Sequence, residues 1–407
     1  MKNVLFILDY YLPNASANGI CVSKVVEEFI NKEMNVSLLC FHDKARKQNS
    51  IGREECNRQS VYEIARPHLN YRFRKIKYYL KWIFQKKQLP SENTDTVHAM
   101  LEKAEEIIVQ KQIDTVICTH LPIESITVGA KLKEKFPSLH LVAYMLDSLS
   151  GGILPRLLPT SFCRNKKIAW ENKMLSHFDQ IVLMESSREH HATYTANANW
   201  FKNAHFLDVP ALYNNNSFKA ENPQKKEITI AFIGTMGQGI RTPYALLKVL
   251  SYIKNLSVRF VVAGKNTCEN LLESLTPGCS VKLDILGELP YQQAQDILND
   301  ADFLVNLGNV NPNLVPSKIF EYMSCGKPII STYTSDMDSS IPYLKQYPSV
   351  FLIDERSTDF DAIAKQLSKF MIENQNSNIP YDRIEKCFYK NTAVAFYNLL
   401  SSSNIEK

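Results

Sequence analysis

Short apolar runs of strand length, set apart by segments of helix length, constrain this chain more than any other feature. They fall at 4–8, 36–41, 115–119, 139–146, 180–184 and 205–209, and again at 228–233, 260–263, 281–286, 303–307, 328–332 and 350–353. A strand that is apolar at successive positions has no face to give to water, so it belongs in a parallel sheet covered by helices on both sides. Helical patterns between the runs, such as 244–253 and 291–299, supply the covers. The expectation is an α/β chain of two Rossmann-like doubly wound domains facing across a cleft. At 407 residues the chain has material for two cores of ordinary size.

The two series are separated after Leu212 by the polar, Asn-rich stretch YNNNSFKAENPQKKE, which carries no periodic apolar face. This places a first domain at 1–215, a linker at 216–226 and a second domain at 227–384. The last helical pattern, 392–400, follows Pro380 and lies outside the second series. Residues 385–407 are therefore expected to pack back onto the first domain. Open sheets of this kind bind ligands at the carboxyl ends of their strands.

Hydrophobic residues make up 45% and charged residues 22%, the balance of a soluble globular protein rather than a disordered one. The opening MKNVLFILDYY has only five consecutive apolar residues before Asp9, too few for a signal peptide. No run approaches the roughly 18 apolar residues of a membrane-spanning helix. A cytoplasmic protein is expected, with peripheral contact to the inner face of the membrane. Nine cysteines, with no C-x-x-C pair, read as small core residues, and neither disulfides nor a structural metal are expected.

The formal charge of +5 is unevenly placed. Residues 226–384 hold 14 Lys+Arg against 17 Asp+Glu, which leaves 33 against 25 elsewhere. The basic surplus belongs to the first half and favours an anionic partner there. Segment 71–87, which begins at Tyr71 and ends at Lys87, holds seven basic residues, no acidic ones and six aromatics. Its helical pattern suits an anionic membrane surface, and its apolar face fits a buried core as well. Confinement to a single helical stretch argues against nucleic acid.

Chemistry concentrates where apolar runs end. The stretch NLVPSKIFEYMSCGKPII, 313–330, reads as a helix entered at Val315-Pro316-Ser317 and closed by Gly326. A helix N-terminus stabilises an anion, Lys318 adds a full charge, and Glu321 one turn on can accept from a vicinal diol. Together they suit a nucleoside diphosphate. An ordinary amphipathic helix with solvated Lys318 and Glu321 fits the same spacing. Run 228–233 leads into Gly234-Thr235-Met236-Gly237-Gln238-Gly239-Ile240-Arg241, either a phosphate cradle or a tight turn. Arg241, just ahead of a helix, invites an anion. In the first domain, Asn18-Gly19 opens a helical pattern, as a second phosphate contact or as an ordinary surface loop with a cap. His120 ends run 115–119, where it would position a sugar hydroxyl, move a proton or simply fill structure. Asp147 and Ser148 stand at the equivalent end of run 139–146 as acceptor-side candidates.

Taken jointly these motifs resemble the GT-B glycosyltransferases, and within them the retaining, family 4-like enzymes of bacterial polysaccharide and phosphatidylinositol mannoside synthesis. The run ILGELP (285–290), the run ADFLVN (301–306) and above all PSKIFEYMSCGKP (316–328) carry the resemblance. It implies a metal-independent hexosyltransferase without cofactor, taking a sugar from a nucleotide-diphosphate donor to a glycan or lipid-linked acceptor, as in capsule, exopolysaccharide or O-antigen assembly. It implies that Glu321 holds the ribose, that Arg241 and Lys318 hold the diphosphate with Gly19 approaching from the other side, and that His120 stands beside the transferred sugar. Gly234, Thr235, Asn313 and Ser317 complete the donor-binding candidates, and His120, Arg241 and Lys318 are the catalytic ones. Two positions depart from the pattern. Asn313 replaces the first acid of Glu-x7-Glu, and Thr235 stands where an Arg is frequent. A nucleotide-sugar epimerase of this fold and a non-catalytic sugar-nucleotide-binding subunit are the alternative readings.

Overall fold

The structure, a computed structural model, describes residues 2–12, 15–42, 58–66, 90–152, 159–214, 227–237, 240–275, 281–309 and 315–402. The chain divides into two compact units, Met1–Pro210 with Lys390–Lys407, and Ala211–Tyr389.

The first unit is a seven-stranded sheet in the order β3-β2-β1-β4-β5-β6-β7. Its strands are β1 (Asn3–Ile7), β2 (Asn35–His42), β3 (Gln59–Ala65), β4 (Thr115–His120), β5 (His140–Met145), β6 (Gln180–Met184) and β7 (Ala204–Leu207). All its pairings are parallel. The residues of β4 and β6 are buried throughout, and alternate positions feed two opposite cores. The apolar runs did not include β3. It is an edge strand whose residues are half-exposed or exposed, so it needs no continuous apolar run.

The second unit is a six-stranded parallel sheet in the order β10-β9-β8-β11-β12-β13. These are β8 (Glu227–Ile233), β9 (Ser257–Ala263), β10 (Val281–Gly287), β11 (Phe303–Asn306), β12 (Ile329–Tyr333) and β13 (Val350–Asp354). In both sheets the order reverses direction beside the first strand, between β1 and β4 and between β8 and β11. Such switch points leave a crevice at the strand ends, because the connections on either side depart in opposite directions.

The expected boundaries shift at two places. Residues 385–389 stay with the second unit, because the helix Tyr381–Phe388 buries Ile384 and Phe388 in its core, with Phe388 6.3 Å from Phe320. Residues 211–214 also belong there, where Leu212 joins the same core. The helix Ala393–Ser402 lies on the first unit, its Phe396 ring 4.5 Å from that of Tyr144. Of the cysteines described, five are buried, Cys21 is half-buried and Cys387 is exposed, all as free thiols. Segment 71–87, Asn313 and the whole of the linker lie outside the described residues.

Candidate active site

Each switch point collects the chemistry of its unit. In the second, β8 is followed by Gly234, and the backbone behind it is tightly tied. Gly234 N–H donates to Ala263 O at 2.9 Å, Met236 N–H to Lys265 O at 2.9 Å, and Gly237 exchanges two hydrogen bonds with Arg241 at 2.9 and 3.0 Å. Strands β8 and β9 are followed directly by Gly234 and Gly264, and β10 closes on Gly287. At Gly264 (φ +116°) a Cβ would meet the Gly234 carbonyl oxygen at 2.2 Å, so the two strand ends approach as closely as only glycine permits. Thr235 is exposed at the mouth of this turn.

Arg241 is half-buried, and its Nε donates to Asn309 Oδ1 at 2.5 Å. Burial depresses its pKa, which means the surroundings disfavour an uncompensated cation and favour an added anion. Asn309 follows β11, so this bond spans the switch point.

The predicted helix at 315–326 is shorter than its pattern. Regular α-helix runs from Lys318 to Ser324, with Ser317 exposed at its start and making no side-chain cap. Pro316 and Ser317 form a turn ahead of it. Gly326, at φ +65°, closes it as expected, because Asn378 Oδ1 and Ile379 O lie 2.6 and 2.7 Å from where a Cβ would be. The Ile319, Phe320 and Met323 face is buried, and so is Tyr322. Lys318 Nζ lies 2.9 Å from Glu321 Oε2, yet off the hydrogen-bonding directions, so the pair is an ion contact and the buried Oε2 receives no hydrogen bond. Lys318 and Glu321 are therefore engaged with each other. A phosphate and a diol would each replace one member of that pair.

Sequence reasoning passed over Tyr322. Its hydroxyl receives Ile233 N–H at 3.1 Å and donates to Ile233 O at 3.1 Å. It ties the short helix to the end of β8, immediately before Gly234.

In the first unit His120, at 3% exposure, ends β4. Its Nδ1 lies 2.9 Å from the Asp147 carbonyl oxygen, which can only accept, so the proton is on Nδ1 and Nε2 carries a lone pair. That Nε2 is buried without a hydrogen-bond partner. Burial lowers the His120 pKa, which keeps the ring neutral. A neutral imidazole with an open lone pair accepts a hydroxyl proton. It is not a proton donor at that atom.

Asp147 is exposed, and its carbonyl serves His120. Ser148 is committed internally: its Oγ receives Gly151 N–H at 3.0 Å and lies 3.1 Å from His191 Nε2. Gly19 is likewise accounted for within its unit, since its amide donates to Ser16 Oγ at 3.0 Å and a Cβ would stand 1.9 Å from Tyr10 O. Its neighbour Asn18 reaches the His120 carbonyl at 3.4 Å across the first switch point.

Two further residues were missed. The buried stripe of the helix Thr160–Leu175 reads Cys163, Lys167, Glu171, Leu175, with two charges at core positions. Glu171 is fully buried; Oε1 receives Ser150 N–H at 3.0 Å, Oε2 has no hydrogen-bond partner, and burial raises its pKa. Burial also lowers that of Lys167. The strict four-residue spacing of a Lys and a Glu inside an apolar stripe was the available signal. Among the described residues no three His, Cys, Asp or Glu side chains group closely enough to hold a metal ion. None of the described helices is long and apolar enough to cross a membrane.

Residues 227–371, most of the second unit, match the family model for the group 1 glycosyl transferases. The two parallel sheets with their helices match those of GT-B glycosyltransferase structures. The chain is similar to a sucrose-phosphate synthase from Thermosynechococcus elongatus, with a TM-score of 0.62 over 100% of both chains at 12% identity. Similarity to HepE from Anabaena, solved in complex with UDP and glucose, gives a TM-score of 0.59 over 100% of both chains at 12% identity. The lipopolysaccharide outer core galactosyltransferase WaaB, in its apo form, gives 0.56 over 99% of both chains at 13% identity. At such identities the likeness is one of fold. No curated protein matches the chain in sequence.

Proposed function

We propose that this chain transfers a sugar from a nucleoside-diphosphate sugar to a glycan or lipid-linked acceptor, with retention of configuration and without a metal. The observation that carries this is the second switch point. There a half-buried guanidinium follows the glycine turn, and the helix that carries a lysine and a carboxylate whose buried oxygen has no hydrogen bond is tied to the strand end before that turn through Tyr322. Charge that develops on the leaving diphosphate is stabilised by Arg241, already held in place, and by Lys318 once it leaves Glu321, with Ser317 and Thr235 at the mouth. Glu321 accepts from the ribose diol once Lys318 turns to phosphate. His120 Nε2 accepts a hydroxyl of the transferred sugar, which orients the ring without moving a proton. Asp147 is the exposed acceptor-side carboxylate. The basic surplus of the first half and the composition of segment 71–87 support a reading in which the acceptor lies at an anionic membrane surface and the protein works on the cytoplasmic face in polysaccharide assembly. Charge reversal at Arg72, Arg74, Lys75, Lys77 and Lys81 that leaves vesicle binding unchanged removes the membrane part of this reading.

The deciding experiment is a thermal-shift series of UDP, GDP, ADP and CMP with their common sugar conjugates, because a ligand bound only by the native state raises the melting temperature. A shift confined to one diphosphate series, lost in Arg241→Ala and Glu321→Ala, is the expected result. No shift with any of them refutes the donor site. Binding without turnover for every acceptor would favour a non-catalytic subunit.

A further inference from the structure

We propose that Asn309 is a positioning residue that orients the Arg241 guanidinium for two phosphate groups while leaving its charge unspent. The inference rests on the donor-site reading above. A guanidinium held at Nε is fixed in plane, and the remaining edge, Nη1 and Nη2, presents two parallel donors that can each bond an oxygen on one of two linked phosphates. In this structure Nε is the nitrogen that is held, and the holder is an amide oxygen.

The choice of a neutral holder is meaningful within the same unit. Arg356 is clamped by two carboxylates: Nε and Nη2 donate to Asp354 at 2.8 and 2.7 Å, and Nη1 and Nη2 to Asp336 at 3.0 and 2.8 Å. Arg259 Nε and Nη2 both lie 2.5 Å from Asp284 Oδ2. Those cations are neutralised by their partners. Asn309 supplies the same directional restraint to Arg241 with no opposing charge, so the full attraction for an anion is retained.

The holder is itself braced. Asn309 is 4% exposed, and its carbonyl receives Thr334 Oγ1 at 3.1 Å. The preceding Gly308 donates its N–H to Thr332 Oγ1 at 2.9 Å, and Thr332 Oγ1 donates to Glu355 Oε1 at 2.6 Å. A Cβ on Gly308 would stand 2.9 Å from Tyr333 Cα and 3.3 Å from Glu355 Oε1. Side chains from β12 and from the end of β13 thereby fix the backbone that presents Asn309. Glycine is required because that backbone lies directly on β12. A relay of this kind has no evident use in stabilising an exposed loop. It does hold one side-chain oxygen at one place beside a half-buried cation.

The test is Asn309→Asp, nearly isosteric, with Asn309→Ala as the second variant, Arg241→Ala, and the double variant Arg241→Ala/Asn309→Asp. Affinity is measured calorimetrically for UDP, GDP and ADP, each beside its monophosphate. Losing one charge-assisted contact weakens binding by roughly ten- to a hundred-fold. Asn309→Asp is expected to lose that much for the diphosphate and distinctly less for the monophosphate, and to lose nothing further once Arg241 is already alanine. Asn309→Ala is expected to weaken the diphosphate less than Arg241→Ala does. A general structural role would instead lower the melting temperature, weaken mono- and diphosphates alike and add to the Arg241→Ala effect. That pattern overturns the proposal. So does an Asn309→Asp protein that binds diphosphate like the parent while Arg241→Ala does not. A parent that binds none of the nucleotides overturns the donor-site reading and this assignment with it.

Discussion

Replacing Tyr322 by phenylalanine removes one oxygen and tests how the end of β8 is held. Along a parallel strand, successive residues address opposite neighbours. Gly234 N–H goes to Ala263 on β9, so Ile233 turns its N–H and C=O toward the β11 side. Pairing of β8 with β11 is registered at Ile230 and Ala231 and ends there. Both polar groups of Ile233 are met by the Tyr322 hydroxyl instead. Tyr322 is 1% exposed, and burial raises its pKa so far that the hydroxyl remains a donor at any working pH. Without it, two buried backbone groups lose their partner, at about 1–3 kcal/mol for each group left unsatisfied. Little cavity is created, so a net destabilisation of about 2–4 kcal/mol is expected for the second unit. Urea unfolding gives the magnitude, and amide hydrogen exchange gives the place: Ile233 should lose protection first. Diphosphate affinity should fall as well, since Gly234 follows directly. A stability change below about 0.5 kcal/mol, the range of ordinary surface changes, with Ile233 still protected, would refute the reasoning.

Two more outcomes follow from the geometry. His191 is held neutral between Ser148 Oγ and Thr195 Oγ1, and burial lowers its pKa from 6.5 to about 4. The unfolded chain therefore binds the proton first, so stability is complete above about pH 6.5 and is lost as pH falls through about 4, by at most about 3 kcal/mol. Urea midpoints of the parent between pH 7 and pH 4 should show this loss, and His191→Gln should flatten it; parallel profiles would refute it. Gly264→Ala brings a Cβ against the Gly234 oxygen, whereas Gly287→Ala, at φ +68° with nothing within 4 Å, meets only its own backbone preference. The first should cost clearly more than the second, whose penalty is about 1–2 kcal/mol. Equal melting temperatures for the two variants would show that the β8 and β9 ends can separate freely.

What could be read from the sequence is what is written locally. Continuous apolar runs marked the inner strands because burial on both faces demands apolar residues at every position; edge strands β7, β10 and β13 kept enough apolar residues to be seen, and the half-exposed edge strand β3 did not. His120, Gly234 and Arg241 were legible as residues that follow strands, since a strand end in a parallel sheet has a predictable place. Their partners were not. Tyr322 meets Ile233 across 89 positions and Arg241 meets Asn309 across 68, and both contacts depend on β11 standing beside β8, a matter of strand order that no local pattern records. Ser148 shows the converse: its position at a strand end was read correctly, but its hydroxyl is consumed by Gly151 and His191, whose approach only the fold decides. Strand ends therefore propose candidates, and the hydrogen-bond partners sort them. His120 Nε2 is buried without a hydrogen-bond partner and Glu321 Oε2 has only the ion contact with Lys318, while Ser148 and the Gly19 amide are already satisfied. An unsatisfied buried acceptor costs stability, and Glu171 Oε2 carries the same cost in the interior of the first unit, so it is the place of His120 and Glu321 beside the switch points, together with their open atoms, that makes them candidates.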